Sequence, residues 1–133
     1  MSEPDKSRSL EEIEDDHWGD PPADATRLVS TAYALRKRPI GALDPEGLRL
    51  LISQQIGLDT IVPLALDQVE RDPLAEGDFY PGDLLDALIR RVPDSYWRTH
   101  EDQLMRVRTV AEALDPEETF DLLYDRATEF VRR

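Results

Sequence analysis

Residues 44–72, DPEGLRLLISQQIGLDTIVPLALDQVERD, contain two consecutive segments in which apolar residues recur every three or four positions. This spacing places the apolar side chains on one face of a helix. The Asp-Pro-Glu sequence at 44–46 has the residue types of a helix start, and Asp-Pro at 72–73 those of a helix end. Gly57 can adopt the left-handed conformation that terminates a helix. The stretch therefore predicts two amphipathic helices joined by a turn.

The same periodicity continues on both sides of this stretch. Upstream, residues 25–38 predict a helix that ends in a basic run before Pro39. Downstream, helices are predicted to start at Tyr80–Asp83, to cover 94–114, and to start again at 115–118, where Asp-Pro-Glu recurs. No segment alternates with period two for long enough to predict a strand. We expect an all-α fold, a compact bundle of about six short helices with an acidic, partly irregular N-terminal arm.

Length and composition narrow the class of protein. The chain has 133 residues, the usual size of a single domain with one core. It has no cysteine, which excludes a disulfide scaffold, a thiolate zinc site and a cysteine nucleophile. Sixteen Lys and Arg against 29 Asp and Glu give a formal charge of −13, so general affinity for nucleic acid phosphates is excluded.

The first 24 residues form an acidic block with a net charge of −7. Residues 1–9 are predicted to be a disordered tail, because they offer little apolar surface to offset the entropy of ordering, and residues 10–133 to form one helical domain. Leu10, Ile13 and Trp18 are exceptions within the block, so we expect this arm to dock on the body with Trp18 largely buried. No apolar run has the length of a membrane span or the form of an export signal, and a cytoplasmic location is expected.

No motif of catalysis is present. There are two histidines, no nucleophile elbow around a serine and no glycine-rich phosphate loop. The run EEIEDDH at 11–17 combines carboxylates with an imidazole and could hold a divalent cation, but it lacks the spacing of any known metal motif, and a solvated acidic surface is the simpler interpretation. The sequence predicts no catalytic residue, no cofactor and no metal site.

The second acidic segment, residues 59–86, also carries a net charge of −7. Within it, aromatic residues alternate with acids in a predicted loop at 74–80, a composition typical of a surface that binds a basic protein. Alternatively, the two aromatic residues hold the loop against the core and the acids are merely solvated, and both interpretations can apply together. The candidate partner-binding residues are Asp72, Glu76, Asp78, Phe79, Tyr80, Asp83 and Asp86.

Three segments carry a resemblance to a known family. They are LRLLISQQIGLDTIVPLALDQVERDPLAEGDFYPGDLL at 48–85, LEEIEDDHWGDPP at 10–22 and RKRPIGAL at 36–43. Together they resemble a family of contact-dependent growth inhibition (CDI) immunity proteins over roughly residues 10–90. The motif from Ile56-Gly57 to Leu85 is long and specific.

The resemblance implies a non-enzymatic protein that binds the C-terminal toxin domain of a cognate exoprotein in the cytoplasm and neutralises it. Many such toxins are basic nucleases, so an acidic surface could cover the active site. The glycines and prolines of the motif fit turns and helix ends, and the C-terminal helices are expected to supply specificity. Two other classes stay open: an acidic helical adaptor or regulatory module for another basic protein, and a small metal-dependent enzyme using the acidic arm.

Overall fold

Residues 5–132 are described in a computed structural model of the chain. They contain no β-strand, and the all-α prediction is confirmed. A 3₁₀ turn covers Ile40–Ala42, and the α-helices in chain order are α1 (Leu10–Glu14), α2 (Arg27–Lys37), α3 (Pro45–Ser53), α4 (Leu58–Arg71), α5 (Asp83–Arg91), α6 (Asp94–Thr99), α7 (Glu101–Glu112) and α8 (Asp121–Val131).

Helix α3 lies at the centre, packed mainly against α4 and α5. Its apolar face is fully buried, as the 3.6-residue period of the sequence predicts. The Asp44 side chain accepts a hydrogen bond from the Gly47 amide at 2.8 Å, and Pro45 opens the helix. Helices α7 and α8 pack against each other, α7 on α4 and α8 on α5, while α2 packs on α3 and α1 packs on α2. The stretch at 44–72 therefore forms the middle of the bundle.

The turn between α3 and α4 depends on left-handed backbone. Gln55 has a φ of 55° and Gly57 a φ of 62°, so the predicted conformation of Gly57 is confirmed, although this residue begins α4 rather than ending α3. A Cβ atom at Gly57 would lie 2.9 Å from the Leu10 side chain. Glycine here serves both the turn and the close approach of α1.

Two predicted helices differ from the structure. The expected helix at 94–114 is interrupted at His100, whose ring stacks on Tyr96 with the centroids 3.8 Å apart. The second Asp-Pro-Glu sequence does not start a helix directly. The Asp115 side chain accepts from the Glu117 amide at 2.9 Å and closes a local turn, and α8 begins only at Asp121. The interruption at His100 and the short helix α1 raise the number of α-helices in residues 5–132 from the expected six to eight.

The N-terminal arm is held to the body by backbone hydrogen bonds. The Ile40 amide donates to the Arg8 carbonyl at 2.8 Å, and the Gly41 amide donates to the Lys6 carbonyl at 2.9 Å. Residues 5–9 are thus placed against the 3₁₀ turn, in contrast to the expected disorder. Residues 1–4 of that predicted tail lie outside the described part of the chain.

The arm also covers a buried cation. Arg36 of α2 is 1% exposed, donates to Glu14 at 2.5 Å and donates to the carbonyl of Asp16. The Trp18 ring lies over this guanidinium at 4.1 Å, with the edge of Tyr33 against it. Trp18 itself is 38% exposed, so the prediction that it is largely buried is wrong. The ring forms an outer layer over the ion pair instead of entering the core.

Candidate protein-interaction site

The acidic loop, residues 72–82, connects α4 to α5. Asp72 ends α4, and its side chain accepts from the Leu74 amide at 3.1 Å. The Gly82 amide donates to the Leu74 carbonyl at 3.1 Å, which brings the two ends of the loop together. Gly82 has a φ of 87°, and a Cβ atom there would collide with Leu123 of α8. The loop is therefore a closed unit seated on the bundle.

Asp83 holds the loop from inside. Its carboxylate is 2% exposed and accepts hydrogen bonds from the amides of Gly77 at 2.6 Å, Phe79 at 3.0 Å and Tyr80 at 3.5 Å. Burial of a carboxylate is costly unless its oxygens are hydrogen-bonded, and here loop amides satisfy them. Asp83 therefore sets the conformation of the loop from a buried position.

Asp86 ties the loop to α8. Its carboxylate is 1% exposed, accepts from the Tyr80 hydroxyl and pairs with Arg126 at 2.7 Å and Arg90 at 3.7 Å. Asp83 and Asp86 are therefore buried, in contrast to the solvent-facing charges expected from the sequence, and their contact with a partner stays a prediction. The first two turns of α5 are enclosed by the loop, α3 and α8, so its acids point into the protein.

Tyr80 and Phe79 have different surroundings. The Tyr80 ring lies edge-on to Phe120 at 5.0 Å, and burial, followed by the hydrogen bond to Asp86, raises the pKa of its hydroxyl. Phe79 is 65% exposed. The two alternatives left open by the sequence therefore apply to one residue each: Tyr80 anchors the loop, and Phe79 is presented outward.

Phe79 rests on a platform built by α3. The Arg49 guanidinium lies 4.5 Å from the centre of its ring and is itself fixed by hydrogen bonds of 2.6 and 2.8 Å to the Glu46 carboxylate. The same carboxylate accepts from the Asp78 amide at 3.0 Å. The bonds from Arg49 hold the pKa of Glu46 below its ordinary value. The aromatic side chain is thus supported from beneath by an ordered ion pair.

The three remaining acids of the candidate site are exposed. Asp72, Glu76 and Asp78 make no ion pair within the described part of the chain. Together with Phe79 they define what we call the Phe79 surface: one exposed ring and three carboxylates without an ion pair, all on the same closed loop. Whether these residues contact a partner stays a prediction.

The residues that support this surface were missed in the sequence. Glu46 and Arg49 stand three positions apart on a predicted helix, a spacing that indicates a pair, but nothing local connects that pair to Asp78 and Phe79. Arg126 lies forty residues from Asp86 and carries no sequence signal for this contact.

The described side chains of the acidic arm are not arranged as a metal site. Among residues 5–132 no group of three or more histidines and acids is arranged to hold a metal ion. In the run at 11–17, Glu11 is buried beside His17 and Glu14 pairs with Arg36. Within the same described range, the helices are too short or too polar to cross a membrane.

The chain is thus a small acidic helical protein whose loop between α4 and α5 holds an exposed aromatic ring. A family model for CDI immunity proteins matches residues 12–107, which include α2 to α6, most of α7 and the whole acidic loop. The chain belongs to this family and is an immunity protein against a CDI toxin, as the resemblance implied. No curated protein matches the chain.

Proposed function

We propose that this protein binds the C-terminal toxin domain of its cognate CDI exoprotein in the cytoplasm and neutralises it through the Phe79 surface. The observation that carries the proposal is an exposed phenylalanine on a hydrogen-bonded loop that also carries three exposed carboxylates, in a member of an immunity family. The protein acts by binding alone, without chemistry of its own.

The Phe79 ring serves as the anchor. Aromatic side chains that enter a pocket of the partner commonly dominate binding energy. Because the loop amides, Asp83 and the Glu46–Arg49 pair already hold the backbone and one face of the ring, little conformational freedom is lost on binding.

The carboxylates of Asp72, Glu76 and Asp78 supply charge complementarity. A toxin that acts on nucleic acid needs a basic active site, and carboxylates held at its rim pair with the cations that otherwise bind phosphate. Inhibition then follows from occupation of the active site of the toxin.

The charge part of the proposal is tested with the purified toxin domain of the exoprotein encoded beside this protein. We expect the triple variant Asp72→Asn/Glu76→Gln/Asp78→Asn to associate with it about tenfold more slowly, because loss of charge mainly reduces the rate of encounter. The matched control is Asp115→Asn/Glu117→Gln/Glu118→Gln, which removes the same charge from another exposed turn. Equal association of the two triple variants, with full protection of cells making the toxin, would show that the Phe79 surface is not the binding face.

The anchor is tested separately. Phe79→Ala is expected to raise the dissociation rate about 30-fold, the equivalent of about 2 kcal/mol, with little change in association. Met105→Ala removes another exposed apolar side chain and should leave the rate unchanged.

A further inference from the structure

A groove of about 590 Å³ runs beside Phe79, between α2 and α3. Leu28 of α2 and Phe79 of the acidic loop line it, and they are 43% and 65% exposed. Leu35 and Leu50 lie beneath, both buried. Exposed apolar side chains that line one concave region of a small protein mark an interaction site more often than isolated ones do. The groove is continuous with the Phe79 surface, because Asp78 and Phe79 belong to both.

The charges of the groove are divided between its walls. Arg27 and Arg38, at the two ends of α2, are exposed and form no ion pair within residues 5–132. The wall formed by α3 and the loop carries Asp44 and Asp78, while Arg49 is neutralised by Glu46. Acidic residues far outnumber basic ones in this chain, whose formal charge is −13. Two exposed arginines that form no ion pair are therefore unusual in it.

The groove is formed before anything binds. A Cβ atom at Gly47 would lie 3.2 Å from the Leu35 side chain, so the backbone of α3 approaches α2 closely along the floor. Thr26 caps α2 by accepting from the Val29 amide at 3.2 Å, and Asp44 caps α3, so both walls are ordered helices. A segment that enters the groove therefore finds fixed walls.

We propose that this groove receives a segment of the toxin that places an apolar side chain between Leu28 and Phe79 and acidic side chains against Arg27 and Arg38. The inference rests on the proposed function and deepens it. A toxin that is basic around its active site must then also carry local acidic groups where it meets α2. The opposite signs of the two walls determine which edge of the segment faces α2 and which faces α3.

A second copy of this chain is the main competing occupant. Two molecules of charge −13 repel each other, which opposes that arrangement at neutral pH. Sedimentation of the protein alone tests it directly. A dimer that Leu28→Asp dissociates would overturn the proposal.

Binding of the purified toxin domain to groove variants is the central experiment. Leu28→Asp and Arg27→Glu/Arg38→Glu are each expected to raise the Kd at least about tenfold. Met105→Asp and Arg98→Glu/Arg132→Glu make the same changes at exposed positions outside the groove and should change it less than about twofold. Thermal melting followed by circular dichroism verifies that every variant folds. We expect all of them to fold, because the substituted residues are exposed.

The outcomes separate this inference from the proposed function. If Phe79→Ala weakens binding and the groove variants do not, the groove proposal is wrong and the proposed function stands. If the wild-type protein does not bind the toxin domain, the proposed function fails and the groove proposal with it.

A photo-crosslinking residue at position 28 reports the chemistry of the occupant. The crosslinked toxin peptide, identified by mass spectrometry, should contain Asp or Glu within a few residues of an apolar side chain. A crosslinked peptide without an acidic residue would contradict the assignment of Arg27 and Arg38.

Discussion

Asp83 shows how one buried carboxylate can determine the shape of an exposed loop. It accepts three amide hydrogen bonds from residues 77–80 and stands in the first turn of α5, where the helix dipole also favours a negative charge. Gly77 allows this arrangement, since a Cβ atom there would lie 2.5 Å from the Glu46 carboxylate. The conformation of the loop that carries Phe79 therefore depends on a buried residue.

Removal of that carboxylate should be costly. Asp83→Ala leaves buried amides without acceptors, and we expect it to lower the free energy of unfolding by on the order of 3 kcal/mol. Asp78→Ala, at an exposed position of the same loop, should change it by less than about 0.5 kcal/mol. Urea unfolding followed by circular dichroism measures both, and equal midpoints would mean that Asp83 does not hold the loop.

We expect Trp18 to contribute less to the stability of the fold than an aromatic side chain buried in the core. Its partly exposed ring contributes a cation–π contact to Arg36 and little core packing, so Trp18→Ala should cost about 1–2 kcal/mol. Leu10→Ala removes a fully buried side chain of the same arm and should cost about 2–5 kcal/mol. Thermal melting of the two variants shows which substitution lowers the stability more. A larger loss for Trp18→Ala would show that the ring is a principal anchor of the arm.

At the scale of elements, the link between α3 and the acidic loop is electrostatic and depends on pH. Arg49 holds the pKa of Glu46 below its ordinary value of 4.5. A carboxyl whose pKa is lower in the folded state stabilises the fold above its unfolded pKa, and this stabilisation is lost as the pH falls through the folded pKa. Acidification below about pH 4.5 should therefore loosen the platform under Phe79.

Glu46→Gln tests this linkage. The variant should be less stable than the wild-type protein at pH 7, and the difference between them should shrink as the pH is lowered from 5 to 3, because the wild-type carboxyl becomes neutral as well. Melting temperatures of both proteins across this range measure the effect. A difference that stays constant with pH would exclude a contribution from the charge of Glu46.

The elements also show what the sequence could predict. The helix start at Asp44 was predictable, because the cap is followed within one turn by Leu48 and then Leu51, which bury completely. The same Asp-Pro-Glu sequence at Asp115 is not followed by such residues, and the first fully buried side chain of α8 comes only at Leu123. A cap specifies a possible start, whereas tertiary packing decides whether the helix forms there.

The candidate site was predictable in its place but not in its inner structure. Seven residues of the loop region were recognised as a group, yet the sequence offers no means to separate the exposed Asp78 from the buried Asp83 and Asp86. Burial of Asp86 depends on Arg126, forty residues away on a different helix. Contacts of this range follow from packing and leave no local pattern.

For the molecule as a whole, the matched and unmatched parts of the chain work together. Helix α8 lies beyond the family match at 12–107, yet it supplies Arg126 to Asp86 and Leu123 against Gly82. The C-terminal helix thus shapes the acidic loop from beneath. The expectation that specificity lies in the C-terminal helices remains a prediction. The contacts of α8 with the acidic loop are one way in which a C-terminal helix would affect binding indirectly.

The net charge of the protein should govern the rate at which it associates with the toxin. We expect association with a basic toxin domain to slow about tenfold as ionic strength rises from 0.05 to 0.5 M, because added ions screen long-range attraction. The dissociation rate, set by short-range contacts such as Phe79, should change much less. Stopped-flow kinetics over this range measure both rates. Association that does not respond to salt would contradict electrostatic steering.

The exposed ring of Phe79 has a consequence for colloidal behaviour. A protein that displays such a ring is at risk of sticking to its own copies, and here the mutual repulsion of −13 charges keeps molecules apart in concentrated solution. That repulsion disappears near the isoelectric point of about 4.4. Light scattering of the concentrated protein should therefore rise as the pH approaches 4.4. It should rise less for Phe79→Ser than for the wild-type chain, because the variant lacks the exposed ring. The carboxylates proposed to attract a toxin would then also keep this protein in solution.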